Sequence, residues 1–137
     1  MKKLLIVDDI KMIRNSLRQL LTNMEGLQLE GEAANSFEAT DQLSKKIFDL
    51  ILLDINLPGK SGIQLLEEIT AGFPQIPVIM MSTYDEVQFV KRSLQLGARG
   101  FIRKTALVAE LGPAVDTVLA GNIFISDYFK EKLENNI

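Results

Sequence analysis

Asp8, Asp9, Asp54, Ser82 and Lys104 each stand where a short hydrophobic run stops. The runs are β-branched or Leu-rich, the pattern of strands buried on both faces, so each polar residue falls at a strand's carboxyl end. Open α/β sheets bind ligands along that edge. Three carboxylates, a hydroxyl and an ammonium on one rim are the parts of a site for a divalent cation and a phosphoryl group. Carboxylates a few ångströms apart repel by roughly 4 kcal/mol per pair at an effective dielectric near 20, so the cluster needs a compensating charge. Oxygen donors favour a hard cation, and Mg2+ takes one or two carboxylates and phosphate oxygens while keeping waters. Asp54 ends the central run and is the better candidate nucleophile, whereas the adjacent pair at 8 and 9 suits a metal.

The elements that must position these residues alternate five times. Leu4 to Val7 reads as a strand, and Ile10, Ile13, Leu17, Leu20, Leu21 and Met24 then recur at helical spacing, with Gly26 as a left-handed cap. Leu27 to Ala33 gives a second strand, and Ser36 an N-cap for a helix with Phe37, Ala39, Leu43 and Ile47 on one face. Leu50 to Leu53, Val78 to Met81 and Gly100 to Ile102 are the third to fifth strands. Pro58, Gly59 and Gly62 punctuate the loop before a helix carrying Ile63, Leu65, Leu66 and Ile69, and both glycines read as turn residues rather than a phosphate cradle. Val87, Val90 and Leu94 mark the fourth helix, closed by Gly97; Leu107, Leu111, Val115, Val118 and Leu119 mark the fifth. Short connections between strand and helix demand right-handed crossovers and a parallel sheet covered on both faces. Residues 126 to 137 offer one short amphipathic segment with Tyr128, Phe129 and Leu133 among charges.

Composition narrows the function classes. At 137 residues the chain fits one domain, large enough to bury roughly 68% of its unfolded surface. The formal charge is −3 with Lys and Arg scattered, which suggests no nucleic-acid groove on this chain. Cysteine and histidine are both absent, so a disulfide framework, a thiolate metal site and a histidine base are excluded. No apolar stretch approaches the ~20 residues of a membrane span, and the expectation is a soluble, cytoplasmic protein.

Asp8-Asp9 after strand one, Asp54-Ile55-Asn56-Leu57-Pro58-Gly59 after strand three, Ser82 after strand four and Lys104 after Phe101 together resemble the receiver domain of bacterial two-component response regulators. Leu96-Gly97-Ala98-Arg99-Gly100-Phe101 and Ala120-Gly121-Asn122 are similar to receivers of LuxR/NarL-type transcription regulators. The resemblance implies a flavodoxin-like (CheY-like), doubly wound five-stranded parallel sheet of order 2-1-3-4-5. It implies a receiver over residues 1–121 and a C-terminal extension or linker start over 122–137. It also implies that Asp54 accepts a phosphoryl group from a sensor histidine kinase with Mg2+ as cofactor. Carried over, Asp9 and Asp54 bind the metal directly, Asp8 through water and Asn56 through its carbonyl; Ser82 and Lys104 contact phosphoryl oxygens, and Ser82 and Phe101 move together as the switch. Such a domain is a signalling phospho-acceptor that catalyses its own phosphorylation and dephosphorylation, not an enzyme acting on a separate substrate.

Departures from the family pattern carry expectations of their own. Thr105 replaces the usual proline after the lysine, so a trans peptide is expected there. Thr83 stands where alanine is common, and the bulk of Tyr84 should slow an attacking water and lengthen the life of the phosphorylated form. The output implied is transcriptional, through a DNA-binding helix-turn-helix that these residues do not include; a stand-alone receiver acting by protein contacts is the alternative. Phosphorylation-dependent homodimerisation is expected through helix four, strand five or helix five, with Phe89, Leu96, Phe101 and Arg103 as the candidate face; helix one with helix five is the second choice. Two other classes stay open: a haloacid dehalogenase-type phosphohydrolase, against which Asn56 replaces the second acidic residue, and a non-phosphorylated interaction module. Singly, each aspartate also reads as a turn or cap residue, with Asp9 apt to cap the first helix, Ser82 the fourth, and Lys104 as a solvated loop lysine.

Overall fold

A computed structural model describes residues 1–83 and 87–135. Six parallel strands form one sheet in the order β2-β1-β3-β4-β5-β6. The elements are β1 (Lys2–Val7), α1 (Lys11–Thr22), β2 (Leu27–Ala33), α2 (Ser36–Lys45), β3 (Leu50–Asp54), α3 (Gly62–Gly72), β4 (Val78–Ser82), α4 (Val87–Gln95), β5 (Gly100–Arg103), a 3-10 turn (Lys104–Ala106), α5 (Leu107–Leu119), β6 (Phe124–Ile125) and α6 (Asp127–Asn135).

Alternation along each strand divides the core in two. Leu5, Val7, Ile51, Leu53, Met80 and Phe101 face the layer packed by α2, α3, α4 and α6. Leu4, Ile6, Leu50, Leu52, Ile79, Met81 and Ile102 face α1 and α5. Because the central strands are apolar on both sides, the chemistry-bearing side chains they carry stand at their ends. Register aligns those ends: Val7 pairs with Leu53, Asp54 with Met81, and Ser82 with Arg103.

The sheet departs from the expected five strands. Phe124 and Ile125 pair in parallel with Gly100 and Phe101, adding an edge strand beyond β5. Two residues are too few to show a period of two. Ser36 is also not the cap of α2; the Asn35 side chain accepts from the Glu38 N–H at 2.8 Å, leaving Ser36 as the first helical residue. Gly26 does adopt a left-handed conformation, φ +79°, but three residues beyond the Asn23 cap, in the turn into β2. Gly97, φ +104°, follows α4 as expected. The Lys104–Thr105 peptide is trans.

The expected contact face on α4 and β5 is occupied. Phe101 is fully buried, and Phe129 of α6 meets it edge-on at 5.0 Å between ring centres. Phe89 and Leu96 pack against the same core layer, α6 lies against α4, and the Arg103 guanidinium sits 4.6 Å over the Tyr128 ring. A chain segment 25 or more residues downstream fills the surface that local periodicity leaves open. No helix among the described residues is long and apolar enough to cross a membrane.

Candidate functional site

Asp54 is the last residue of β3, and Asp8 follows the last residue of β1, so adjacent parallel strands deliver the two carboxylates to one point. Carboxylate oxygens of Asp8, Asp9 and Asp54 lie within 4.8 Å of one another. Asp8 and Asp54 are buried and Asp9 is exposed, which leaves the cluster open on one side. Asp9 does not cap α1: the N-cap is Ile10, without a side-chain hydrogen bond. The Ile10 N–H instead donates to Asp8 Oδ1 at 2.8 Å, and the Asn56 N–H donates to Asp54 Oδ1 at 3.0 Å. Two short backbone turns thus aim one oxygen of each carboxylate and leave the other pointing at its neighbour.

Lys104 enters from the end of β5. Its ammonium lies 2.6 Å from Asp8 Oδ2 and 2.9 Å from Asp54 Oδ2, with the side chain only 5% exposed. Both contacts are ionic, and among the described residues neither oxygen has a further partner. Three carboxylates against one ammonium leave a formal charge of −2 at the rim. Burial pushes the Asp54 carboxyl above the ordinary aspartate range, and the Asp8 charge adds to the rise; the Asn56 N–H and Lys104 oppose it. An all-oxygen cluster of excess negative charge, in which two buried carboxylate oxygens share one ammonium, fits a divalent hard cation.

The remaining expected residues sit around this group. Ser82 ends β4 and is buried; alternation places it on the side of Met80, opposite the Asp54 side chain, so the rim is built from both faces of the sheet. Asn56 is exposed in the loop after β3. Phe101, three residues before Lys104, is in the core against Phe129. Thr83 is exposed. Tyr84 lies outside the described residues.

Gly62 belongs to the site although its sequence reads as a turn. A Cβ there would fall 2.1 Å from the Asp54 carbonyl oxygen and 2.7 Å from Ile55 Cα. Its own N–H donates to the Ile55 carbonyl at 3.0 Å, so α3 starts directly against the backbone that holds Asp54. Ser61 and Gln64 form a reciprocal capping box there, a Ser-x-x-Gln signature visible in the sequence. Gly62→Ala is expected to displace β3's end, costing about 3 kcal/mol, the upper range for overpacking because both clashing groups are backbone. Thermal denaturation checks this; a loss within about 0.5 kcal/mol, the range of a surface change, would contradict the close approach.

Comparison with known proteins points the same way. The family model of the response regulator receiver domain matches residues 4–116. Response regulator GacA of Pseudomonas syringae pv. syringae is 32% identical over 133 residues, covering 97% of this chain and 62% of that protein. Transcriptional activator protein ExaE of Pseudomonas putida is 36% identical over 123 residues, covering 89% of this chain and 57% of that protein. The chain therefore spans about three fifths of the length of the curated relatives it matches. A crystal structure of a LuxR-family two-component response regulator from Aurantimonas sp. SI85-9A1 superposes with a TM-score of 0.93 at 25% identity, covering 98% of this chain and 96% of that one. With the match running from β1 through most of α5 and enclosing every residue of the acidic rim, the chain belongs to the response regulator receiver domain family.

Proposed function

We propose that Asp54 is the phospho-acceptor of this receiver and that a sensor histidine kinase is its donor. The observation that carries the reading is the buried contact of Lys104 with both Asp8 and Asp54 beside the exposed carboxylate of Asp9. An Asp54 oxygen attacks phosphorus, the O–P bond forming as the donor's P–N bond breaks, and the product is an acyl phosphate. Asp8, Asp9 and Asp54, with the Asn56 carbonyl, would hold Mg2+, which when bound supplies charge stabilisation to the transferred group. Lys104 leaves its carboxylate contacts for a phosphoryl oxygen, and the Ser82 hydroxyl donates to another. Each such charge-assisted hydrogen bond contributes roughly 1.5–3 kcal/mol, enough to shift a two-state population without saturating it.

The readout we infer runs along β5. Phe101 and Arg103 already hold Phe129 and Tyr128, so a shift of Lys104 and Ser82 reaches α6 through side chains in contact. Residues 1–121 are then the phospho-acceptor domain and residues 122–137 a C-terminal extension or start of a linker, of which α6 is docked on the core. The transcriptional name of one relative supports a DNA-binding output in the longer protein, and cytoplasmic placement accords with a kinase donor and a DNA target. Self-association is best placed on the α1–α5 side, where Met12 and Val108 are 75% and 85% exposed, since α6 covers the other face.

Acetyl phosphate with Mg2+ should add one phosphoryl group detectable by intact mass, and a chelator should abolish the adduct. Continuous release of phosphate without an adduct would instead identify a phosphohydrolase, and no reaction at all a non-phosphorylated module.

A further inference from the structure

Asp8 is fully buried, and each of its polar groups has a partner from a different part of the fold. Its N–H donates to the Ala33 carbonyl at 3.0 Å, Oδ1 accepts from Ile10, and Oδ2 contacts Lys104. The fourth partner is Arg14, one turn into α1, whose Nη1 donates to the Asp8 carbonyl oxygen at 2.7 Å. That oxygen belongs to the peptide joining Asp8 to Asp9, so whatever fixes it fixes the plane from which both carboxylates project.

Arg14 is itself held. Its Nε donates to Glu32 Oε1 at 3.2 Å, and the other oxygen of Glu32 accepts from Arg18. Glu32 lies on β2 opposite Ile6 of β1, two residues before Asp8, so the brace is anchored in the sheet that carries the acidic pair. A guanidinium presents donors in fixed directions and spans the carbonyl and the carboxylate at once; a lysine ammonium is a point charge on a flexible stem.

We propose that Arg14, held by Glu32, is a positioning residue for the cation site: it orients the Asp8–Asp9 peptide so that both carboxylates meet Asp54. This rests on the reading of the acidic rim as a Mg2+ site. Charge and position make opposite demands here. A guanidinium on the Asp8 carbonyl brings positive charge towards the cluster and lowers its attraction for a divalent cation, so if charge alone counted, removing it would tighten Mg2+ binding. If position counts, removal weakens binding, as loss of a group that orients metal ligands does, by about 10–100-fold.

The test is Mg2+ affinity by titration calorimetry on the full chain, with thermal denaturation alongside. Arg14→Ala should weaken Mg2+ binding by about 10-fold or more, and Arg14→Lys, which keeps the charge but not the fork, by about 10-fold. Glu32→Gln should weaken it too, but the loss of its negative charge acts in that direction as well, so Arg14→Lys carries the test if Arg14→Ala does not fold. A solely structural role would lower the melting temperature of the Arg14 variants while the folded protein kept its Mg2+ affinity. Wild-type or tighter binding in Arg14→Ala or Arg14→Lys overturns the proposal while Asp9→Ala, losing affinity, upholds the site. A wild type that does not bind Mg2+ overturns the site and the brace together.

Discussion

Asp54→Asn is expected to abolish the phosphoryl adduct and, in metal-free buffer at neutral pH, to raise rather than lower thermal stability. The first effect is complete because an amide oxygen is not a competent nucleophile, and among the described residues no other carboxylate shares Asp54's place at the end of the central strand beside Lys104. The second follows from the environment of the carboxyl. Burial raises its pKa above the unfolded value, so the folded state holds that proton more tightly than the unfolded chain does. The stability this contributes is present below the unfolded pKa and is lost as pH rises through the folded one. The ionised carboxylate stands next to Asp8 and short of solvent, and the neutral amide removes that cost. The gain of the variant should shrink as pH falls into the range where wild-type Asp54 is protonated. Saturating Mg2+ should reverse the order: at 100 times its dissociation constant a ligand stabilises by about 2.7 kcal/mol, and the variant offers one fewer anionic ligand. Melting curves at pH 4 and 7, with and without Mg2+, measure all three differences. An adduct of full intensity in the variant would remove Asp54 from its role, and a metal-free variant less stable than wild type at pH 7 would contradict the electrostatics.

Phe129→Ala should cost roughly 3–5 kcal/mol, the range for truncating a buried phenylalanine. The ring is fully buried, packs edge-on to Phe101 at 5.0 Å and to Tyr128 at 5.5 Å, and connects α6 to the core layer shared with α4. Tyr128→Ala is a useful contrast: its ring carries Arg103 and Lys132 as cations, contacts worth about 0.5–1 kcal/mol each at an exposed site. Urea denaturation should therefore rank Phe129→Ala well below Tyr128→Ala. Amide hydrogen exchange should show α6 and β5 losing protection together in the Phe129 variant. A loss under about 1 kcal/mol at Phe129 would mean that α6 is not part of the domain core and that the α4–β5 face is open after all.

Hydrophobic runs that stop at Asp8, Asp54, Ser82 and Lys104 are a local property, and strand alternation with short crossovers leaves few ways to stack them. For that reason the parallel sheet and the gathering of the acidic residues at one rim were legible in the runs themselves, while the 2-1-3-4-5 core order came only with the resemblance to receiver domains. What the amino-acid sequence could not contain is any feature defined by a distant partner. β6 exists only because β5 offers an edge to two residues without a period of their own. Phe89 and Leu96 look like a docking face until α6 comes to lie against α4. Gly62 reads as a turn glycine because the carbonyl that forbids it a side chain is eight residues back, on a strand end. Arg14 carries no local signal of its place, because Glu32 and the Asp8 carbonyl reach it only when β2 lies beside β1. Periodicity and composition determine which faces are buried, since those depend on neighbours in the chain; which atoms brace the site depends on contacts closed across the fold, and only the tertiary structure decides them.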